Sequence, residues 1–138
     1  MIITNYSNAE LIKYSNNSFL ATKISFINQL ANICQKIPNS NVDIVANAIG
    51  LDPRIGNTHT MVPGPDGDFG YGGHCFPKDM AAILNVADEL STSLPTLFGA
   101  STTNAIVRQN RDWEEMKGRA VSENENLEKT ENTISSEL

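Results

Sequence analysis

Only two cysteines and two histidines occur in these 138 residues. No run of apolar side chains approaches the roughly eighteen that a membrane-crossing helix needs. Cys34, in an apolar stretch, and Cys75, in a glycine-rich one, make no disulfide framework, so both are expected reduced. The first residues lack a basic segment followed by an apolar one, which leads to the expectation of a cytoplasmic chain without a secretion signal or a membrane partner. Lysines and arginines are scattered, with no basic stripe and no platform of aromatics, so nucleic-acid binding gains no support. No metal is expected either, because His59, His74 and Cys75 fit neither C-x-x-C nor H-x-x-x-H spacing. Two further absences shape the reading. Proline and glycine are missing from Asn8 to Ile37, and G-x-G-x-x-G, the fingerprint of a dinucleotide-binding fold, is missing everywhere.

The first of these gaps predicts a long helix. Thirty residues without a breaker would run about 45 Å, with Leu11, Ile12, Leu20, Ile24, Ile27, Ala31 and Cys34 as an apolar stripe. Phe19, Phe26, Leu30 and Ile33 lie off that stripe, so the helix is apolar on more than one side and is expected to be central or at a subunit interface. Lys13 and Asn17, four residues apart, share one face. They either aim an ammonium and a carboxamide at a common point or are a snorkelling lysine beside a solvated asparagine. Further on, Asn41 is placed to cap a short helix carrying Val42, Val45 and Ile49 and ending at Gly50. Residues from Leu94 to Val107 are less periodic, a short helix is expected from Arg108 to Lys117, and little reads as strand. The fold class is all-α.

The ten residues GYGGHCFPKD, Gly70 to Asp79, carry the most chemistry. Pro77 suits the first turn of a helix whose stripe is Met80, Ile83, Leu84 and Ala87. Cys75 then sits at the positive end of that helix with Lys78 nearby, an environment favouring a nucleophilic thiolate. The other reading makes Cys75 a small buried hydrophobe beside a glycine turn. Asp79, four residues on, is one turn along the same face, as a partner of the thiol or simply as an acid in the first helical turn.

Three segments, NAELIKYSNNSFLATKISFINQLANIC, GLDPRIG and GYGGHCFPKD, in this order, resemble the UDP-glucose/GDP-mannose dehydrogenase family. The resemblance is to that family's central helical domain, similar to the 6-phosphogluconate dehydrogenase C-terminal-like fold, and extends through RDWEEMKGRAV toward the carboxyl end of shorter members. It implies an NAD-dependent, two-step oxidation of the C6 alcohol of a nucleotide sugar, UDP-glucose first among them, to a carboxylate. Cys75 matches the nucleophile. Lys13 and Asn17 match the pair that stabilises charge on the C6 oxygen, and Asp79 matches the aspartate that positions or deprotonates water and organises the lysine. Arg54, bracketed by Pro53 and Gly56, matches an arginine that reaches the nucleotide sugar of a neighbouring subunit. Tyr71 and Gly72 match substrate-lining positions, and Lys78 matches a residue near the cofactor. The resemblance also implies a homodimer formed through the long helix.

The departures set limits. With no dinucleotide fingerprint, the resemblance implies that the amino-terminal Rossmann domain and its glutamate acid/base are not in this sequence, so no independent turnover is expected. The stretch NTHTMVPGPDGD is longer than in many members, and His74 stands where small residues are common. Residues 1–121 are expected to form the helical domain. Ser122 to Leu138 holds five glutamates and one lysine, most of the net charge of −6, and has the composition of a disordered acidic tail. Three function classes follow: the catalytic and dimer-forming part of a nucleotide-sugar dehydrogenase, a non-catalytic dimerisation fragment, and a weakly supported metal site.

Overall fold

A computed structural model describes residues 3–108 as four helices, with no strand among the described residues. The expected acidic tail and the short helix expected beyond Arg108 lie outside them. Helix α1 runs from Tyr6 to Cys34, α2 from Val42 to Gly50, α3 from Cys75 to Glu89 and α4 from Pro95 to Arg108. A loop connects α2 to α3.

Helix α1 begins where Asn5 accepts a hydrogen bond from the amide of Asn8 at 2.9 Å. Its 29 residues give a rod of about 43 Å, against which α3 and α4 pack along much of the length and α2 near the end. The buried face is small and polar as often as apolar: Ser18, Ala21, Ser25, Ile27, Asn28, Ala31 and Cys34. Small side chains let neighbours approach closely, and the polar ones bond across the gap. Ser25 Oγ donates to the carbonyl of Ala100 at 3.0 Å, and Gln29 Nε2 donates to Thr103 Oγ1 at 2.8 Å.

Part of the expected stripe is corrected here. Leu11 and Ile12 are each 56% exposed, because nothing among the described residues covers the first turns of α1. Phe19, Phe26 and Ile33 are also more than half exposed. With Ile12 they recur every seven residues and so form one outward row along the rod.

Two apolar clusters form the core. One joins Ala21 of α1, Tyr71 of the loop, Met80 of α3 and Ala100 of α4. The other joins Ile27 and Ala31 of α1 with Ala46 of α2 and Val62. The cap of α2 is as expected: Asn41 Oδ1 accepts from the amides of Asp43 and Ile44 at 2.8 and 3.1 Å.

Helix α4 occupies the stretch that reads as least periodic. Its buried residues are Ala100, Thr103, Asn104 and Arg108, so a hydropathy pattern has nothing to follow. Pro95 starts it in the position where a missing amide costs least, and Thr102 and Thr103 return their hydroxyls to the carbonyls of Phe98 and Gly99.

Candidate active site

The site is built where α3 begins. Gly73 takes a backbone φ of +73°, open to glycine, and turns the chain into the helix. His74 is the residue before the first turn and makes no side-chain cap. Cys75 is the first helical residue and is exposed, while Asp79, one turn further along, is completely buried.

Burial of a carboxylate requires partners, and Asp79 has them on both oxygens. Asn17 of α1 donates through Nδ2 to Oδ2 at 2.5 Å, and Lys78 donates through Nζ to Oδ1 at 2.6 Å. Burial alone pushes the Asp79 carboxyl up. The bonds from Lys78 and Asn17, with the charges of Lys13 and Lys78, outweigh it and hold the group below the usual carboxylate range. Lys78 is pushed up in turn, chiefly by its bond to Asp79. Lys13 acts on the carboxylate through space, its Nζ lying 5.2 Å from the centre of the Tyr14 ring. Asn17, Asp79, Lys78 and, more distantly, Lys13 thus form one polar cluster between α1 and α3.

A pH dependence follows from these directions. Asp79 has a lower pKa folded than unfolded, so its contribution to stability is present above the unfolded value and lost as pH falls through the folded one. The melting temperature is therefore expected to drop from about pH 4 downward. Asp66, likewise lowered, adds to the same slope. Circular-dichroism melts between neutral pH and pH 2 check this, and Asp79→Asn should flatten the profile while lowering stability at neutral pH.

Beside the cluster lies a cavity of about 690 Å³. Tyr71 and Gly72 line it together with Gly70, Gly73, Phe76 and His59. The His59 ring meets Phe76 edge-on with centroids 5.7 Å apart, and Phe76 also meets Tyr71 edge-on at 6.5 Å. Tyr71 and Gly72 are therefore at a cavity, whereas Cys75, Asp79, Lys13 and Asn17 are not in its lining.

Arg54 is kept apart from both. Its guanidinium folds back on Asp52, with Nε 2.9 Å from Oδ1 and Nη2 2.5 Å from Oδ2, and the side chain is 88% exposed. The turn carrying it is tied to the core by Lys23, whose Nζ donates to the carbonyls of Ile55 and Gly56, both at 2.9 Å. Lys78, expected near a cofactor, is committed to Asp79. Among the described residues no three His, Cys, Asp or Glu side chains are grouped so as to hold a metal ion.

Several residues that hold the site were not singled out from the sequence. Asn28 Oδ1 accepts from the Gly70 amide at 3.0 Å. Asn104 Oδ1 accepts from the Tyr71 amide at 2.7 Å, and its Nδ2 donates to the Tyr71 carbonyl at 3.0 Å. Arg108 Nη2 pairs with Asp66 at 2.6 Å, and Nη1 donates to the carbonyl of Phe69 at 3.3 Å. Only the helical spacing of Asn104 and Arg108, a turn apart, could have marked two of them in advance.

Comparison with known proteins accords with this geometry. The central-domain model of the UDP-glucose/GDP-mannose dehydrogenase family matches residues 7–106. The chain is 49% identical over 104 residues to the UDP-glucose 6-dehydrogenase TuaD of Bacillus subtilis, a match covering 75% of the chain and 21% of that protein. It is 41% identical over 112 residues to the UDP-glucose 6-dehydrogenase of Rickettsia bellii, covering 81% of the chain and 23% of that protein. With the enzyme of the same name from Rhizobium meliloti it shares 42% over 111 residues, covering 80% and 23%. The matches thus span less than a quarter of the length of each of these relatives. From Tyr6 through α4, then, this chain belongs to the UDP-glucose/GDP-mannose dehydrogenase family, matching its central domain.

Proposed function

We propose that this chain supplies the catalytic and dimer-forming part of a nucleotide-sugar 6-dehydrogenase, acting on UDP-glucose or a close relative with NAD as hydride acceptor. The observation that carries the proposal is the cluster of Asn17, Lys78 and buried Asp79, with Lys13 near it, one turn from an exposed Cys75. The described residues build no dinucleotide site, and Lys78 is engaged by Asp79, so the steps assigned here are those of this chain's own side chains.

Cys75 adds through Sγ to the C6 carbonyl of the aldehyde, making the carbon tetrahedral so that it can give up a hydride. After that second oxidation the sulfur holds an acyl group as a thioester, which water hydrolyses to the carboxylate. Negative charge develops on the C6 oxygen as the sulfur adds. Lys13 meets it with an ammonium and Asn17 with an amide hydrogen, fixed in advance on one helix. A carboxamide nitrogen carries two hydrogens, so Asn17 can hold Asp79 and a substrate oxygen at once. Asp79, ionised at neutral pH, accepts a proton from the attacking water. Tyr71 and Gly72 line the space for the nucleotide sugar, and Arg54, on an exposed turn, is available to a site on a neighbouring copy.

The second copy docks along α1. Ile12, Phe19, Phe26 and Ile33 form the exposed row described above, and two such rows laid together would remove eight large apolar side chains from water.

The test is NADH formation from UDP-glucose and NAD by this chain alone and mixed with a separately made dinucleotide-binding domain of the family. Activity in the mixture only is the expected result. Silence in both, from a folded dimer, would leave a dimerisation fragment without catalysis and sink the proposal.

A further inference from the structure

We infer that Asn104 and Asn28 are positioning residues for the site, two buried carboxamides that hold the Gly70–Tyr71 backbone and so set where α3 and Cys75 begin. The inference rests on the dehydrogenase reading only for the role given to Cys75.

The loop between α2 and α3 has no regular structure to satisfy its backbone, and a buried amide or carbonyl left unpaired is costly. At Gly70 and Tyr71, both buried, side chains do what a neighbouring strand would do. Asn104 bonds the amide and the carbonyl of Tyr71 together, a reciprocal pair that fixes the peptide's orientation as well as its place. Asn28 takes the Gly70 amide, and its own nitrogen is anchored on the Ile24 carbonyl at 2.9 Å, so its acceptor is pre-aimed. The two asparagines stand on different helices, and both are at least nine-tenths buried.

The grip is close enough to dictate sequence. A Cβ on Gly70 would overlap Asn104 Oδ1, and the residue has a φ of +73°. From Tyr71 the constraint passes to the site by contact. Its ring meets Phe76 at a right angle, and Phe76 follows Cys75 directly. Tyr71 also packs with Met80, the residue after Asp79. The clamp thus bears on α3 at both of the residues to which chemistry is assigned.

Hydrogen exchange and alkylation of the full chain test this. In the parent, the Gly70 and Tyr71 amides should exchange far more slowly than that of exposed His59; equal rates would mean that there is no clamp. In Asn104→Ala the same two amides should speed up by about tenfold, the worth of one buried hydrogen bond, with the interior of α1 still protected. Alkylation of Cys75 by iodoacetamide should slow severalfold. Its sulfur is already accessible, so what changes is its placement at the amides that open α3. Asn28→Ala should act in the same way through Gly70 alone, and serves if Asn104→Ala does not fold. Loop amides unchanged, α1 loosening together with the loop, or an unaltered rate at Cys75 would each overturn the inference. Neither readout uses nucleotide sugar or NAD. A chain that shows the clamp yet stays silent in the reconstituted assay discards the dehydrogenase reading alone, and turnover with unchanged exchange discards the clamp alone.

Discussion

A chain carrying Cys75→Ser, mixed with a dinucleotide-binding domain, is expected to form NADH from UDP-glucose at least about a thousandfold more slowly than the parent in the steady state. The substitution changes one atom at an exposed position on the first turn of α3, where no core contact depends on the sulfur. Folding and melting should therefore be unchanged. The chemistry should not. A serine hydroxyl is protonated at neutral pH and adds poorly to an aldehyde, and an ester is less readily hydrolysed than a thioester. The first oxidation, alcohol to aldehyde, needs no nucleophile from the protein. The expected trace is thus one burst of NADH per site followed by near silence. Continued turnover at the parental rate would show that the thiol does not carry the acyl group.

Gly72→Ala is expected to cost about 2 kcal/mol of stability, roughly 10 °C in melting temperature for a domain of this size. A Cβ at this position would overlap the guanidinium of Arg108 at three of its atoms. The obstacle is the far end of a flexible side chain, so the backbone need not move. The guanidinium leaves instead, and with it go the pairing with Asp66 and the bond to the Phe69 carbonyl. Arg108 is only 7% exposed where it lies, so departure also breaks its packing. A double-mutant cycle isolates the cause. If Gly72→Ala acts by expelling Arg108, it should cost almost nothing in an Arg108→Ala background. Equal costs in both backgrounds would locate the strain elsewhere.

The helices were legible where their signals are local. A breaker-free stretch marks α1, an asparagine cap marks α2, and a proline in the first turn with a stripe behind it marks α3. Helix α4 was not, because its buried face is Ala100, Thr103, Asn104 and Arg108 and its burial is justified by hydrogen bonds rather than by apolarity. The same physics hid the clamp. An asparagine that satisfies a loop backbone looks, in sequence, like an asparagine facing water. Asn17 and Asp79, far apart in the chain, could be paired beforehand only through resemblance, and the lysine that reaches Asp79 directly is Lys78, which resemblance put near a cofactor. Exposure of Leu11 and Ile12 follows from where their neighbours stop, and hydropathy alone does not carry that information.

Helix α1 is the common partner of the other three, and its bonds reach far down the chain. Asn28 waits for a residue 42 positions later, Asn17 for one 62 later and Ser25 for one 75 later. A ribosome adding about 5–20 residues per second leaves roughly 4–15 s between the synthesis of Ser25 and that of Ala100. For that interval the newborn rod has its inner and outer apolar faces both bare, and neither the clamp nor the carboxylate cluster can form. Birth order thus makes α1 the segment of this domain in greatest need of a chaperone's cover.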